Sequence, residues 1–199
     1  MEALTDGIMA IVATLLVLDI KVPQLPENYS SSEMHLAFQE IVPSFIAFVF
    51  SFLNVLIFWY NHDSIGKTLY YFDRRLTFLN FFFLMFISLI PFTTAFISEY
   101  PFSFEAISVY GIVLFMASFF AAWMYYHIAF NSDMMHTSIS LEARKRIWIK
   151  IRMGPISFFA AILLGLIHVA IPICIYILMP FFYMFMLGID LVEDPKKEA

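Results

Sequence analysis

Five long apolar runs dominate the sequence, at about residues 4–20, 35–60, 76–97, 104–130 and 156–189. A membrane-crossing helix needs about 20 mostly apolar residues, so each run is a candidate span. The runs are continuous and do not alternate apolar with polar, which selects helices over barrel strands. The last run is too long for one ordinary helix. Proline breaks the helical ladder and restricts the residue before it, so this run is split near Ile171 and Pro172, into spans at about 153–169 and 172–189. The expected fold is all-α and polytopic, with six transmembrane helices over residues 1–189 and a charged tail at 190–199.

Lysine and arginine placement tests that count. Lys67, Arg74 and Arg75 fall between spans two and three; Arg144, Lys145, Arg146, Lys150 and Arg152 between four and five; Lys196 and Lys197 after span six. In a six-span chain these all lie on one side and Lys21 alone on the other. Cytoplasmic loops carry the excess of positive residues, which puts both termini in the cytoplasm. Merging the last two spans would place the C-terminal lysines outside.

Composition agrees. The chain is 62% hydrophobic and 14% charged, where soluble domains run nearer half and a quarter. The longest polar stretch, about 138–152, is too short for a soluble domain. The net charge of −5 carries less information than the position of each charge. No basic segment precedes the first apolar run, so no cleavable signal peptide is expected. Cys174 lies within an apolar run and reads as a small buried hydrophobe. Tyr60, Tyr70, Tyr71, Trp123, Tyr125, Tyr126 and Trp148 fall near span ends, where amphipathic rings anchor at the interface.

The first span is short, and its tip is polar. Helical spacing puts Gly7, Ile11, Thr14 and Leu18 on one stripe, with Leu15 beside it. Asp6, Ala10, Ala13 and Val17 form an adjacent stripe whose small residues allow close approach of another helix. Asp6 has two readings. A carboxylate at a membrane boundary is costly and is commonly paired or functional. It also sits in a first helical turn, where Thr5 or Asp6 can cap the helix.

The segment T-D-G-I-x-A-I-x-A-T-L-L-x-L-D-I, from Thr5 onward, resembles the signature of the transmembrane protein 175 family of potassium channels. That signature has F-S-D before a pore-lining first helix; here Leu4 and Thr5 replace the phenylalanine and serine, and the arginine that precedes it in the family would fall before Met1. Trp59 and His62 resemble the family's W-x-x-H, Asn80 an asparagine of the third helix, and Ile90-Pro91-Phe92-Thr93-Thr94 its proline-containing part. The resemblance covers nearly the whole chain in span order.

It implies a homotetramer in a prokaryotic plasma membrane, with four first helices around a central pore that conducts K+ without cofactor or bound metal. No T-V-G-Y-G carbonyl filter is present. By position, Ile11, Leu15 and Leu18 would form an apolar constriction and Thr14 a hydroxyl layer. From spacing alone the first three read as lipid or packing contacts, and Thr14 reads equally as bonded to a carbonyl one turn back. An apolar ring can gate by dewetting. Thr5, Asp6 and Gly7 would form the cytoplasmic end of the helix. His62 and Asn80 are expected to hydrogen-bond Asp6 or its neighbours, so that replacing Asp6 by Ala impairs assembly.

Other polar groups give weaker signals. His127, Asp133 and His136 are too loosely spaced for a metal site, and His62-Asp63 lacks a second catalytic group. His168 reads as an interfacial polar residue or a sensor of external pH. Glu40 reads as a solvated helix start or a vestibule charge. Phosphate loops, dinucleotide fingerprints, zinc motifs and basic nucleic-acid patches are absent, and an enzyme is not expected. The alternatives to a potassium channel are a proton-conducting channel or a secondary transporter. A transporter should show inverted repeats, broken helices and charged residues near the midplane.

Overall fold

A computed structural model of the chain describes residues 2–130, 133–135 and 139–187, with side chains through 185. Among these residues the regular elements are helical, apart from one isolated bridge between Leu69 and Met135. The helices are α1 (Glu2–Leu15), α2 (Ser31–Gly66), α3 (Arg74–Ser88), α4 (Ile90–Glu99), α5 (Phe104–Phe130), α6 (Leu141–Gly165) and α7 (Ala170–Leu187). The tail at 190–199 lies outside the described residues.

Among the described residues, four helical stretches are long and apolar enough to cross a membrane: α2, α3 with α4, α5 and α6. Helix α7 is apolar but shorter. Helix α1 continues as a 3-10 turn, Leu16–Asp19. With rises of about 1.5 Å per α residue and 2.0 Å per 3-10 residue, the two together span about 29 Å, close to the ~30 Å of bilayer hydrocarbon.

The helices depart from the expected spans where local chemistry outvotes hydropathy. Helix α2 starts early because Ser30 and Glu33 form a capping box: the Ser30 side chain accepts from the Glu33 N–H, and Glu33 accepts from the Ser30 N–H. It also runs on through the polar residues Asn61 to Gly66, with Lys67 paired to Asp63. The third span is two helices. Pro91 cannot donate to the Ile87 carbonyl and its ring crowds that carbonyl, so the helix ends at Ser88 and restarts with proline in the first turn of α4. The break between the last two spans falls at 166–169, before Pro172, which sits in the first turn of α7 where its missing N–H costs nothing. His168 Nδ1 lies within that break and accepts the Ala170 N–H at 3.1 Å.

Helix α5 is the hub, packed against α3, α4, α6 and α7. One contact there sets the helix spacing. A Cβ built on Gly111 would lie 2.0 Å from the Tyr176 hydroxyl and 3.0 Å from the Ile162 side chain. Only glycine lets α7 approach so closely that Tyr176 donates to the Ile107 carbonyl, at 3.3 Å. Gly111→Ala is therefore expected to cost about 1–3 kcal/mol through overpacking. Thermal melting in detergent would check this; an unchanged midpoint would show that the α5–α7 contact yields.

A buried polar cluster joins α2, α4 and α5. The Thr94 hydroxyl donates to Ser51 Oγ at 2.8 Å, and Ser51 Oγ lies 3.0 Å from the Tyr110 hydroxyl. At the other end, Tyr70 N–H donates to the Met134 carbonyl at 2.9 Å, joining the two connections that follow α2 and α5. Cys174 is exposed on α7 rather than buried as its apolar context implied. A thiol is apolar enough to face lipid, and hydropathy does not distinguish the two fates.

Candidate functional site

Helix α1 has one face inside the bundle and one face bare. Thr5, Met9, Val12 and Leu16 are buried at 4-3-4 spacing, against α2 and α3. On the opposite side Gly7, Ile11, Thr14, Leu15 and Leu18 are exposed, Ile11 by 59% and Leu18 by 70%. A Cβ on Gly7 would meet nothing within 4 Å. The small-residue stripe does not form the packing face within the subunit: Asp6, Ala10 and Val17 are exposed, and Ala13 is half-buried.

The Thr14 hydroxyl donates back to the carbonyls of Ala10 and Ile11, at 3.0 and 2.9 Å. Its hydrogen is thus occupied, while the oxygen lone pairs remain on an exposed position.

Two polar clamps hold the tip of α1. In the buried one, Asn80 of α3 donates through Nδ2 to Thr5 Oγ1 at 3.1 Å, and its Oδ1 lies 2.8 Å from His62 Nε2. Because the Asn80 carbonyl oxygen can only accept, His62 donates from Nε2. Thr5 is 1% exposed and Asn80 0%. The His62 ring stacks on Phe83, with centroids 5.6 Å apart and planes within 6°. In the exposed clamp, Trp59 Nε1 donates to Asp6 Oδ1 at 2.9 Å. The chain thus brings Thr5, His62 and Asn80 into one hydrogen-bonded row. Asp6 stands apart from that row and meets Trp59 instead, the tryptophan of the same W-x-x-H segment that supplies His62.

A third polar contact fixes the same end of the bundle. His127 Nε2 lies 2.7 Å from Asp73 Oδ2, and Asp73 Oδ1 accepts the Leu76 N–H as the N-cap of α3. Burial pushes the Asp73 carboxyl up, but the hydrogen bonds from Leu76 and His127 outweigh it and hold the group below the usual carboxylate range. A depressed carboxylate stabilises the fold above its ordinary pKa and loses that contribution as the pH falls through its lowered one. His127 therefore pairs with Asp73, not with Asp133. Among the described residues no group of three His, Cys, Asp or Glu is placed to hold a metal; His136 lies outside them. Glu40 lines a cleft with Asp19, Lys21 and Glu99, between the end of α1 and helices α2 and α4.

These features define a polytopic helical membrane protein in which one short helix is clamped at its tip and left bare along one face. Comparison with known proteins gives the family. The family model described as endosomal/lysosomal potassium channel TMEM175 matches residues 1–91. A potassium channel of Chamaesiphon minutus is 33% identical over 172 residues, covering 84% of each chain. One of Streptomyces collinus is 28% identical over 202 residues, covering 100% of this chain and 95% of the other. The crystal structure of a lysosomal potassium-selective channel TMEM175 homolog from Chamaesiphon minutus superposes with a TM-score of 0.81 at 27% identity, covering 93% of this chain and 95% of that one. The chain belongs to the TMEM175 family. These relatives are named as ion channels, not enzymes. The human endosomal/lysosomal proton channel TMEM175 is 30% identical over 151 residues, but the match covers only 29% of its length.

Proposed function

We propose that this chain is the subunit of a passive, potassium-permeable cation channel in which four copies surround an axis lined by α1. The observation that carries this reading is the bare apolar stripe of α1, on a helix whose opposite face is fully packed. Ile11, Leu15 and Leu18 form the constriction, and four copies make apolar rings that resist wetting. Thr14 adds oxygen lone pairs beside them that partly replace lost hydration. Both termini face the cytoplasm, a reading that the distribution of Lys and Arg supports, in the plasma membrane of a prokaryote. Residues 1–189 act as a single channel domain, and K+ passes without cofactor or resident metal. The Thr5, His62 and Asn80 row, with Asp6 and Gly7, holds the cytoplasmic mouth.

The test is flux from liposomes containing the purified protein. A potassium gradient should drive passive ion flow, with no second solute moving in fixed ratio. Fixed-ratio coupling, or no flux at all, would replace the channel with a transporter or a non-conducting protein. The vertebrate relatives are named proton channels, which gives the proton-conducting reading its support. A pH-sensitive dye inside the same liposomes separates the two, since a potassium channel needs an added protonophore before the interior changes pH.

A further inference from the structure

Helix α6 starts at Leu141, well before the apolar run expected to contain it. Arg144, Lys145, Arg146, Lys150 and Arg152 therefore sit on a helix rather than in a loop, and helical spacing sorts them. Arg144 points inward, donating to the carbonyls of Ile139 and Ala129 at 3.1 and 3.2 Å. Trp148 turns toward α5, where its ring meets that of Tyr126 at 5.3 Å. Lys145, Ile149 and Arg152 lie at i, i+4 and i+7 on an exposed stripe. The stripe continues into Ile156, Phe159 and Leu163, each about half exposed.

Trp148 and Tyr126 mark the interfacial level, as amphipathic rings do. Lys145 lies three residues to one side of Trp148 and Arg152 four to the other, about 4.5 and 6 Å along the axis. Helical side chains lean toward the helix N-terminus, so Arg152 can carry its guanidinium back toward the level of Trp148. Two cations thus stand two turns apart on one exposed stripe, on either side of the Trp148 level, and the stripe continues as an apolar track. Glu142 is the one carboxylate on this part of the helix, and it lies a turn further from the membrane.

We propose that the Lys145–Arg152 stripe binds the headgroup of an anionic phospholipid, with an acyl chain lying along Ile149, Ile156 and Phe159. Charge complementarity and continuity with the apolar track select a lipid over a soluble anion. The site depends on the membrane-spanning fold and not on which ion the protein conducts.

The experiment uses the full chain purified in a mild detergent. Retention of phosphatidylglycerol and of phosphatidylcholine with matched acyl chains is measured by native mass spectrometry. Phosphatidylglycerol should be preferred. Neutralising a juxtamembrane cation should weaken that preference about fivefold, so the Lys145→Gln, Arg152→Gln double variant should lose on the order of 30-fold. Lys21→Gln, at the other end of the protein, should change nothing, and the swap Lys145→Arg with Arg152→Lys should retain the preference. The proposal is overturned if the double variant keeps its preference within twofold, or if Lys21→Gln lowers it equally. Dissociation of the assembly by the double variant with lipid retention unchanged would assign the stripe to a subunit contact and also overturn it.

Discussion

Replacing Ile11 with Asn is expected to raise ion flux through the reconstituted protein by about tenfold or more. Ile11 projects from the bare face of α1, 59% exposed, and in a tetramer one substitution changes a whole ring. An apolar ring opposes ions because water leaves it; a ring of carboxamides keeps water and offers oxygens in place of hydration. Lowering the barrier by about 1.4 kcal/mol suffices for a tenfold rate. Leu18, with 70% of its surface exposed, should behave similarly, while Ile11→Val should leave flux near its parent level. Flux measured in liposomes at equal protein content decides the matter. If polar residues at Ile11, Leu15 and Leu18 all leave flux unchanged, the conduction path does not run along α1.

The second large effect is expected at Asn80, which contacts no ion in the proposed pore. Asn80→Ala removes both hydrogen bonds of the buried clamp at once. Thr5 loses its donor and His62 its acceptor, in a site where Asn80 is 0% exposed. Leaving a buried polar group unpaired costs about 1–3 kcal/mol, so two together remove about 2–6 kcal/mol from a fold whose whole stability is about 5–15 kcal/mol. The variant should give a lower melting temperature and a lower yield of assembled protein on size exclusion. Trp59→Phe should cost less, because its bond to Asp6 joins two exposed residues. A variant at Asn80 that melts with the parent, or a larger loss at Trp59, would reverse the ranking of the two clamps. The structure thus shifts the weight of the anchor from Asp6, the conspicuous charge, to the neutral pair of Thr5 and Asn80.

The spans and their boundaries were only partly legible in the sequence. Hydropathy finds where a helix is apolar, not where it ends. Helix α6 continues for a dozen residues before its apolar part because Ser140 caps it, accepting from the Ala143 N–H, and because Ala143 to Arg146 are good helix formers. That signal was present in the sequence but is invisible to a hydropathy window. Pro91 was visible too, yet its effect depends on whether the Ile87 carbonyl can find another arrangement, and here the helix breaks.

The faces of α1 were harder to read. Its buried stripe and its bare stripe both follow 4-3-4 spacing, and both are mainly apolar. In water the solvent side would be polar and the contrast would reveal itself. In a membrane, lipid, pore constriction and protein interior all accept Ile, Leu and Val, so periodicity finds two stripes without ranking them. Thr5 is the one buried-face residue whose chemistry distinguishes it, because a buried hydroxyl needs a partner. The resemblance drew attention to Thr5, His62 and Asn80; the Asp6–Trp59 contact, across 53 residues of sequence, was not readable from either residue alone.

The clamps fasten α1 at one end only, and this bears on how the protein meets bilayers of different thickness. Helix α2, at 36 residues, is about 54 Å long and far outlasts any hydrocarbon core. A few ångströms more lipid leaves it still spanning. Helix α1 has no such reserve, since it matches the core only with its stretched 3-10 turn. Tilt about the fixed tip only shortens its reach. Thicker membranes should therefore strain the far end at Leu16–Asp19, which is held by packing rather than by a polar clamp, so acyl-chain length becomes a mechanical input delivered to the helix proposed to line the pore.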